Sequence, residues 1–182
     1  SIAALATLGV WDACREHAAP LRFLRLVDDT GRLWRAPETR FDCAEIGLEA
    51  FAFNIENRHL VAALEDKVET TPLLKRFLSG AVAVTPTDNR VTIRLDDGTH
   101  LSAKIVVGAD GRHSICREAA GIELRTWTYP QIALTYNVAH TRPHRDTSTE
   151  FHTGHGPFTT VPLPGNRSSI VCVVNTTDAE HI

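Results

Sequence analysis

The segment from Val106 to Arg117 combines residue types that bind ligands. It reads Val-Val-Gly-Ala-Asp-Gly-Arg-His-Ser-Ile-Cys-Arg. The apolar run that enters it predicts a buried strand over 104–107, and a short helix is predicted from Ser114 to Gly121. A glycine-bearing turn between strand and helix lets backbone N–H groups approach a phosphate, and its carboxylate can accept hydrogen bonds from ligand hydroxyls. Asp110 and Gly111 are therefore candidate ligand-binding residues, although Asp-Gly is also a common turn dipeptide.

Four histidines lie close together nearer the end of the chain. They are His140, His144, His152 and His155, with H-x-x-x-H and H-x-x-H spacings that occur in metal sites. The segment is predicted to be strand and loop, in which residues four apart do not align their rings as they would on a helix. We therefore expect a polar loop and no metal site.

Composition limits the classes of protein to which the chain can belong. It has 182 residues, 43% apolar and 23% charged, which is enough for one globular domain or for parts of two. A net charge of −3 without a dense run of Lys and Arg argues against nucleic-acid binding. The apolar N-terminus lacks the basic residues of a signal peptide, and there is no Met anywhere, so we expect a piece of a longer protein. The four widely spaced cysteines include no C-x-x-C pair, which is typical of free thiols in the cytoplasm.

Periodicity and turn residues predict the elements that position these residues. Helices are expected over 1–8, 11–17 and 55–68, the last capped by Asn57. A hairpin is expected over 21–34, followed by extended chain with a turn near Gly47. Further strands are expected over 81–84, 90–95, 99–107, 132–139, 158–163 and 168–174. The middle of the chain is thus α/β, and the two strand-rich segments that flank it are expected to pair with one another.

Several motifs occur in an order that is informative as a set. They are Leu8-Gly9-Val10-Trp11-Asp12, Ile55-Glu56-Asn57-Arg58-His59-Leu60, the Asp-Gly motif with Arg117, Trp127-x-Tyr129-x-Gln131, and Gly156-Pro157-Phe158 followed by Pro162-Leu163-Pro164. This set resembles flavin-dependent aromatic monooxygenases with the p-hydroxybenzoate hydroxylase fold, and within them the ubiquinone-biosynthesis hydroxylases. Thr159-Thr160 and Cys172 depart from that pattern, which places the aromatic substrate in question more than the fold.

The resemblance implies a fold and a division of the chain. The fold class is α/β (α+β), namely the central part of an FAD-binding Rossmann-like domain with a mainly antiparallel β substrate domain. Residues 1–19 and 54–124 would form part of the FAD-binding domain, and residues 20–53 and 125–182 part of the substrate domain. The family's G-x-G-x-x-G and its later Gly-Asp motif do not occur in the chain, so we expect the isolated chain to bind FAD poorly and to be inactive.

The resemblance also implies ligands and the residues that contact them. Asp110, Gly111, Arg58 and Arg117 are expected to contact FAD or NAD(P)H, whereas ordinary turn and surface roles are the alternatives. Gly156, Pro157 and Phe158 are expected to line the aromatic pocket, with a plain β-bulge as the alternative. No catalytic side chain is identified, because the cofactor performs the oxidation and the protein positions the ring and excludes water.

The implied activity is the hydroxylation of an aromatic ring with NAD(P)H and molecular oxygen. A polyprenyl phenol of the ubiquinone pathway is the expected substrate. Such a substrate implies that a cytoplasmic protein makes peripheral contact with the inner membrane surface. The resemblance is compatible with an oligomer. A hydroxylase of a soluble aromatic acid and a non-catalytic binding or assembly module are the alternatives.

Overall fold

The protein is described from a computed structural model that covers residues 1–177 and 179. Four α-helices, one 3-10 helix (Cys43–Ile46) and eleven strands occur within this part of the chain. They are α1 (Ile2–Thr7), α2 (Trp11–Arg15), β1 (Ala18–Leu21), β2 (Phe23–Asp29), β3 (Thr39–Asp42), β4 (Ala52–Ile55), α3 (Asn57–Glu69), β5 (Ala81–Pro86), β6 (Val91–Leu95), β7 (His100–Ala103), α4 (Ile115–Ala119), β8 (Gln131–Ala139), β9 (Thr147–Thr153), β10 (Gly156–Leu163) and β11 (Arg167–Asn175). The mixed α/β class is confirmed.

A six-stranded sheet carries most of the strands, in the order β3-β2-β9-β10-β11-β8. Every neighbouring pair is antiparallel except β2 and β9, which run parallel. Strands from before and after the α/β middle therefore share one sheet, as the strand patterns predicted. The assignment of these segments to cofactor and substrate domains stays a prediction.

The chain divides into two compact units, which are residues 1–71 with the described residues from 129 onward, and residues 72–128. The first unit contains the six-stranded sheet, the β1–β4 pair and helices α1 to α3. Its most buried side chains include Val10, Cys14 and Leu163, each no more than 1% exposed. The second unit is the antiparallel sheet β5-β6-β7 with α4 packed against β5.

The strand predicted to run through Val107 ends at Ala103 instead. Ile105 and Val107 are 80% and 83% exposed, and the residues from 104 to 110 pair with no strand in the described part of the chain. An apolar run forms a buried strand only where a neighbouring strand satisfies its N–H and C=O groups. No described strand lies beside this one, so the prediction for 104–107 is wrong.

The hairpin predicted over 21–34 also differs. The return strand is β3, and Leu33 and Trp34 are 93% and 88% exposed. The carboxylate of Asp28 accepts hydrogen bonds from Thr30 and from the Ala36 amide, which fixes a wide loop in place of a tight turn.

Two further elements, strand β9 and the start of helix α3, differ from the sequence prediction. Strand β9 was not predicted, because its sequence Thr-Ser-Thr-Glu-Phe-His-Thr has no clear apolar alternation. Helix α3 begins at Asn57, so that Glu56 and not Asn57 holds the N-cap position. The turn near Gly47 is confirmed, with Gly47 in the left-handed region.

None of the described helices is long and apolar enough to cross a membrane.

Candidate functional site

The carboxylate of Asp110 faces the first turn of α4. Its Oδ1 accepts a hydrogen bond from the Ser114 hydroxyl at 2.6 Å, and its Oδ2 accepts one from the Cys116 amide at 3.2 Å. The Ser114 hydroxyl in turn accepts from the Arg117 amide at 3.0 Å and so caps the helix. The Ser114 bond is the largest cause that lowers the pKa of Asp110 to about 2. Asp110 is therefore charged at neutral pH.

Two glycines of this turn are required for different reasons. A Cβ at Gly108 would lie 2.7 Å from Cys116 Cβ, so the chain can pass α4 this closely only without a side chain. Gly111 has φ +79°, and a Cβ there would meet open space. Gly111 is thus required by its backbone conformation, as expected for a tight turn.

Arg117 holds the turn from the other side. Its Nη2 donates to the Arg112 carbonyl at 3.0 Å, which closes the segment between Asp110 and the helix. Burial, together with the charge of Asp110, raises the pKa of the Cys116 thiol, which keeps it protonated. Hydrogen bonds within the turn thus hold the Asp110 carboxylate toward the first turn of α4.

The Asp110 carboxylate is accessible to a ligand. Asp110 is exposed, and so are residues 108 to 113 around it. The Ser114 hydroxyl and the Cys116 amide donate to its two oxygens, with smaller contributions from the backbone of Asp110 and Ile115. A charged, exposed carboxylate can accept hydrogen bonds from the hydroxyl groups of a ligand.

A second carboxylate, Glu56, stands at the junction between β4 and α3. Arg167 of β11 binds it with both terminal nitrogens, at 3.0 and 3.1 Å. Asn137 Nδ2 and Arg58 Nη2 each donate to it at 3.0 Å. The Arg167 hydrogen bonds are the largest cause that lowers the pKa of Glu56 to about 2, and the Arg58 bond adds to them. We refer to Glu56, Arg58, Asn137 and Arg167 as the Glu56 network.

A cavity of about 390 Å³ adjoins the Glu56 network. Its lining includes Glu56, Arg58, Thr135, Asn137 and Ser169. The sequence predicts Arg58 as a cofactor contact, and the residue is exposed at the start of α3. Arg167 and Asn137 were not predicted, because they lie 111 and 81 residues from Glu56 and no local pattern links them.

A third site lies on the six-stranded sheet within the first unit. Gly156 and Phe158 line a mostly apolar cavity of about 300 Å³, together with Phe151, Cys172 and Val174 among others. The rings of Phe151 and Phe158 lie 6.0 Å apart. Pro157 is not among the lining residues, since successive side chains of β10 point to opposite faces.

The backbone at position 156 requires a glycine. Its φ is +139°, and a Cβ would lie 2.3 Å from the Val173 carbonyl oxygen. The residue therefore lets β10 approach the end of β11 closely, beside the apolar cavity.

The four histidines have other partners. His140 contacts Ser168 Oγ at 3.0 Å and the Arg142 carbonyl at 2.6 Å. His144 Nε2 lies 3.0 Å from the Leu163 carbonyl, and His152 lies 3.3 Å from Glu150. Within residues 1–177 and 179, no group of three His, Cys, Asp or Glu side chains is placed to hold a metal ion.

A protein-family model described as an FAD binding domain matches residues 1–181. The chain is 35% identical to the ubiquinone hydroxylase UbiL of Rhodospirillum rubrum over 92% of its own length and 38% of that relative's. It is 31% identical to the 3-demethoxyubiquinol 3-hydroxylase of Escherichia coli, over 94% of this chain and 43% of the relative. The chain thus spans about two fifths of the length of these relatives.

Solved structures share the fold. PqsL of Pseudomonas aeruginosa aligns over 99% of this chain and 50% of its own, with a TM-score of 0.82 at 19% identity. HpxO of Klebsiella pneumoniae, solved with FAD and uric acid, aligns over 96% of this chain and 45% of its own, with a TM-score of 0.71 at 19% identity. At these identities the likeness shows the fold alone.

Proposed function

Because the chain belongs to the FAD binding domain family, we propose that it is part of an FAD-dependent, NAD(P)H-using monooxygenase that hydroxylates an aromatic ring. The observation that carries this proposal is the 35% identity to a ubiquinone hydroxylase over nearly the whole chain. A polyprenyl phenol of the ubiquinone pathway is the proposed substrate.

Asp110, Gly111, Arg58 and Arg117 are the proposed cofactor contacts. Asp110 would accept hydrogen bonds from cofactor hydroxyls, because its carboxylate is charged, exposed and held in place by Ser114. Gly111 would let the backbone approach the cofactor, and Arg117 would keep the turn closed through its bond to a carbonyl. Arg58 would attract phosphate, although its bond to Glu56 already neutralises part of its charge.

FAD, when bound, supplies the redox chemistry, by taking reducing equivalents from NAD(P)H and activating oxygen. The residues of this chain would bind and orient it, and the sheet would hold the aromatic ring away from water. Gly156 and Phe158 would form part of that pocket, with Phe151 beside Phe158 supplying an apolar wall. Pro157 would not contact the ring, and it would act only by restricting the backbone conformation of β10.

A polyprenyl tail would bring the protein into peripheral contact with a membrane surface. This contact and the cytoplasmic location at the inner membrane are parts of the proposal, as is the use of molecular oxygen. An oligomer is compatible with it.

The test uses the protein encoded by the complete reading frame that contains this chain. We expect it to purify with bound FAD and to oxidise NAD(P)H with formation of a hydroxylated product from a short-chain prenyl phenol. Comparison with 4-hydroxybenzoate separates a prenyl-phenol hydroxylase from a hydroxylase of soluble aromatic acids.

Absence of flavin from that protein would contradict the proposal and favour a non-catalytic binding or assembly module. The isolated chain serves as a second sample, and we expect it to bind FAD more weakly than micromolar. Sub-micromolar binding by the isolated chain would show that the cofactor contacts in it suffice alone, against our expectation.

A further inference from the structure

The loop between β2 and β3 carries two large apolar side chains that the described chain leaves uncovered. Leu33 is 93% exposed and Trp34 is 88% exposed. The two residues are adjacent, and the backbone bends at them, so they form the tip of the loop. We refer to residues 30–37 as the β2–β3 loop. Exposure of this degree leaves both side chains accessible to a partner.

Hydrogen bonds close the β2–β3 loop below this tip. The Asp28 carboxylate accepts bonds from the Ala36 amide at 2.8 Å and from the Thr30 amide and hydroxyl at 3.1 and 2.7 Å. The Ala36 bond is the largest cause that lowers the pKa of Asp28 to about 2, and the Thr30 bonds add to it. Pro37 restricts the backbone where the loop ends. The closed base lowers the cost of ordering the tip when a partner binds.

Two arginines flank the apolar tip. Arg32 and Arg35 stand directly before and after the two tip residues, and the β2–β3 loop contains no carboxylate. Arg35 Nε donates to the Arg32 carbonyl at 3.3 Å, and Arg35 Nη1 lies 3.7 Å from Asp29 Oδ1. The charge of Arg32 acts on Asp28, where it is the smallest of the causes that lower the pKa. The tip therefore combines apolar side chains with cations on both sides.

The carboxylates near the loop lie at its base and have partners there. Glu38 accepts two hydrogen bonds from Arg25, at 2.6 and 2.7 Å, and the charge of Arg40 also acts on Glu38. Over residues 25–40, four arginines stand against three carboxylates. This small surplus makes the attraction to an anionic surface modest. The apolar tip must therefore supply most of the binding to any such surface.

The size of the apolar tip favours a bilayer over a protein as the partner. A tryptophan buries about 150–250 Å², whereas each partner in a stable protein interface buries about 800 Å². Two adjacent side chains fall short of that area. A bilayer needs no matching surface, because tryptophan is enriched at the membrane–water interface, where its ring lies at the level of the headgroups. Arginines beside an inserted apolar residue are attracted to anionic lipid.

We propose that the β2–β3 loop docks the protein on the surface of a bilayer that contains anionic lipid. Leu33 and Trp34 enter the interfacial layer, and Arg32 and Arg35 contact lipid phosphates. The inference rests on the proposed function, in which a polyprenyl substrate brings the protein to a membrane, and it assigns that contact to one segment. This segment lies outside the proposed cofactor contacts and the ring pocket, so it binds lipid without a prenyl phenol.

The experiment uses the protein encoded by the complete reading frame and vesicles of phosphatidylglycerol and phosphatidylcholine in equal parts, without any prenyl phenol. We expect the unaltered protein to sediment with the vesicles and the variant Leu33→Ser/Trp34→Ser to bind about tenfold more weakly or less. The control Ile46→Ser/Leu48→Ser makes the same kind of change at side chains that are 65% and 47% exposed, beyond the other end of β3. It should bind as the unaltered protein does.

The arginines are tested by Arg32→Gln/Arg35→Gln. This variant should bind the mixed vesicles about fivefold more weakly, the effect of one basic residue near an anionic surface, because Asp29 already neutralises part of Arg35. Binding to vesicles of phosphatidylcholine alone should change less. The control Arg15→Gln/Arg94→Gln makes the same change in net charge outside the loop and should leave both unchanged.

Fluorescence keeps the test informative if the serine variant is unstable. Brominated phosphatidylcholine in the vesicles should quench tryptophan emission in the unaltered protein, and the quenched fraction should fall in Trp34→Phe. Trp127→Phe is the control, because Trp127 is 70% exposed and lies in the other unit. Its quenched fraction should match that of the unaltered protein.

Equal vesicle binding by Leu33→Ser/Trp34→Ser and its control, or no vesicle binding by the unaltered protein, would overturn the proposal. So would equal quenching in the two phenylalanine variants. An oligomer that the serine variant dissociates would overturn it as well, by showing that another copy covers the loop. Hydroxylation of a soluble short-chain prenyl phenol, measured in parallel, should be the same in the serine variant as in the unaltered protein. Failure of the docking surface and failure of the proposed activity thus appear in separate assays.

Discussion

Glu56 in the first unit and Asp110 in the second occupy similar positions and are held by different forces. Each carboxylate lies at or just before the N-terminus of a helix, and each has a pKa of about 2. Glu56 is held mainly by Arg167 and Arg58, which are cations, whereas Asp110 is held mainly by the Ser114 hydroxyl and the Cys116 amide, which are neutral.

The two carboxylates differ in how accessible their oxygens are to a ligand. Glu56 accepts four hydrogen bonds from three side chains, and its side chain is 15% exposed. Within the described residues, Asp110 accepts hydrogen bonds from neutral groups of its own turn and of α4, and it is exposed. The same low pKa therefore accompanies a structural role at Glu56 and leaves room for a ligand at Asp110.

The largest expected effect is that of Glu56→Gln. The variant leaves Arg167 without a carboxylate and breaks the link from α3 to β11, so the melting temperature of the first unit should fall by several degrees. Hydrogen exchange at the first amides of α3 should accelerate, while exchange in α4 should not change.

Glu49→Gln is the matched control for that variant. Glu49 lies 4.0 Å from Arg15, and both side chains are well exposed, so its loss should change stability little. Equal melting temperatures for the two variants would show that the Glu56 network adds no stability.

Gly108→Ala should destabilise the second unit and leave the first unchanged. The new Cβ meets Cys116 Cβ at 2.7 Å, and we expect a loss of about 1 kcal/mol, at the low end for overpacking because the preceding segment is exposed. Gly80→Ala is the control, since its Cβ meets only the Asp96 carboxylate, at 3.4 Å. Chemical denaturation followed by hydrogen exchange in α4 measures the effect, and no difference from Gly80→Ala would contradict the packing described.

Lowering the pH should remove the stabilising effect of both carboxylates in the same pH range. The variant Arg167→Gln should shift that range for Glu56 and leave it unchanged for Asp110. The pKa values fall from 4.5 for Glu56 and 3.8 for Asp110 in the unfolded chain to about 2 in the folded one. Each carboxylate thus stabilises the fold fully above its unfolded pKa, and this contribution is lost as the pH falls toward 2. In Arg167→Gln the pKa of Glu56 should rise and that of Asp110 should stay, as followed by carboxylate NMR titration. Parallel shifts of both would contradict the assignment of causes.

Added salt should have the smallest effect, and it should raise the pKa of Glu56 more than that of Asp110. At about 1 M salt the screening length is roughly 3 Å, so the attraction between Glu56 and its arginines should weaken and the pKa of Glu56 should rise slightly. The hydrogen bonds of Asp110 to neutral donors should respond less. A larger salt effect at Asp110 than at Glu56 would contradict this.

Sequence patterns predicted local features well and distant ones poorly. The Asp-Gly turn and the Ser114 cap are encoded within a dozen residues, so they could be predicted from spacing alone. The Glu56 network joins β4, α3, β8 and β11, and no spacing rule connects Glu56 with Arg167. Likewise the six-stranded sheet depends on the parallel pairing of β2 with β9, and the sequence of β9 itself gave no strand signal.

The strand expected over 104–107 failed for a related reason. Apolar content predicted burial, but burial requires a partner, and within the described residues no strand pairs with this segment. Membership of the FAD binding domain family therefore rests on similarity over residues 1–181 and not on this strand.

The affinity for FAD of the protein from the complete reading frame tests the central claim most directly, with Asp110→Asn and Glu56→Gln compared by flavin fluorescence. We predict that Asp110→Asn weakens FAD binding about tenfold, as loss of a charge-assisted hydrogen bond would, while Glu56→Gln lowers stability without weakening FAD binding, because it leaves the Arg58 guanidinium free to attract phosphate. Unchanged affinity in Asp110→Asn, or an equal loss in both variants, would contradict the claim that Asp110 is the carboxylate available to the cofactor.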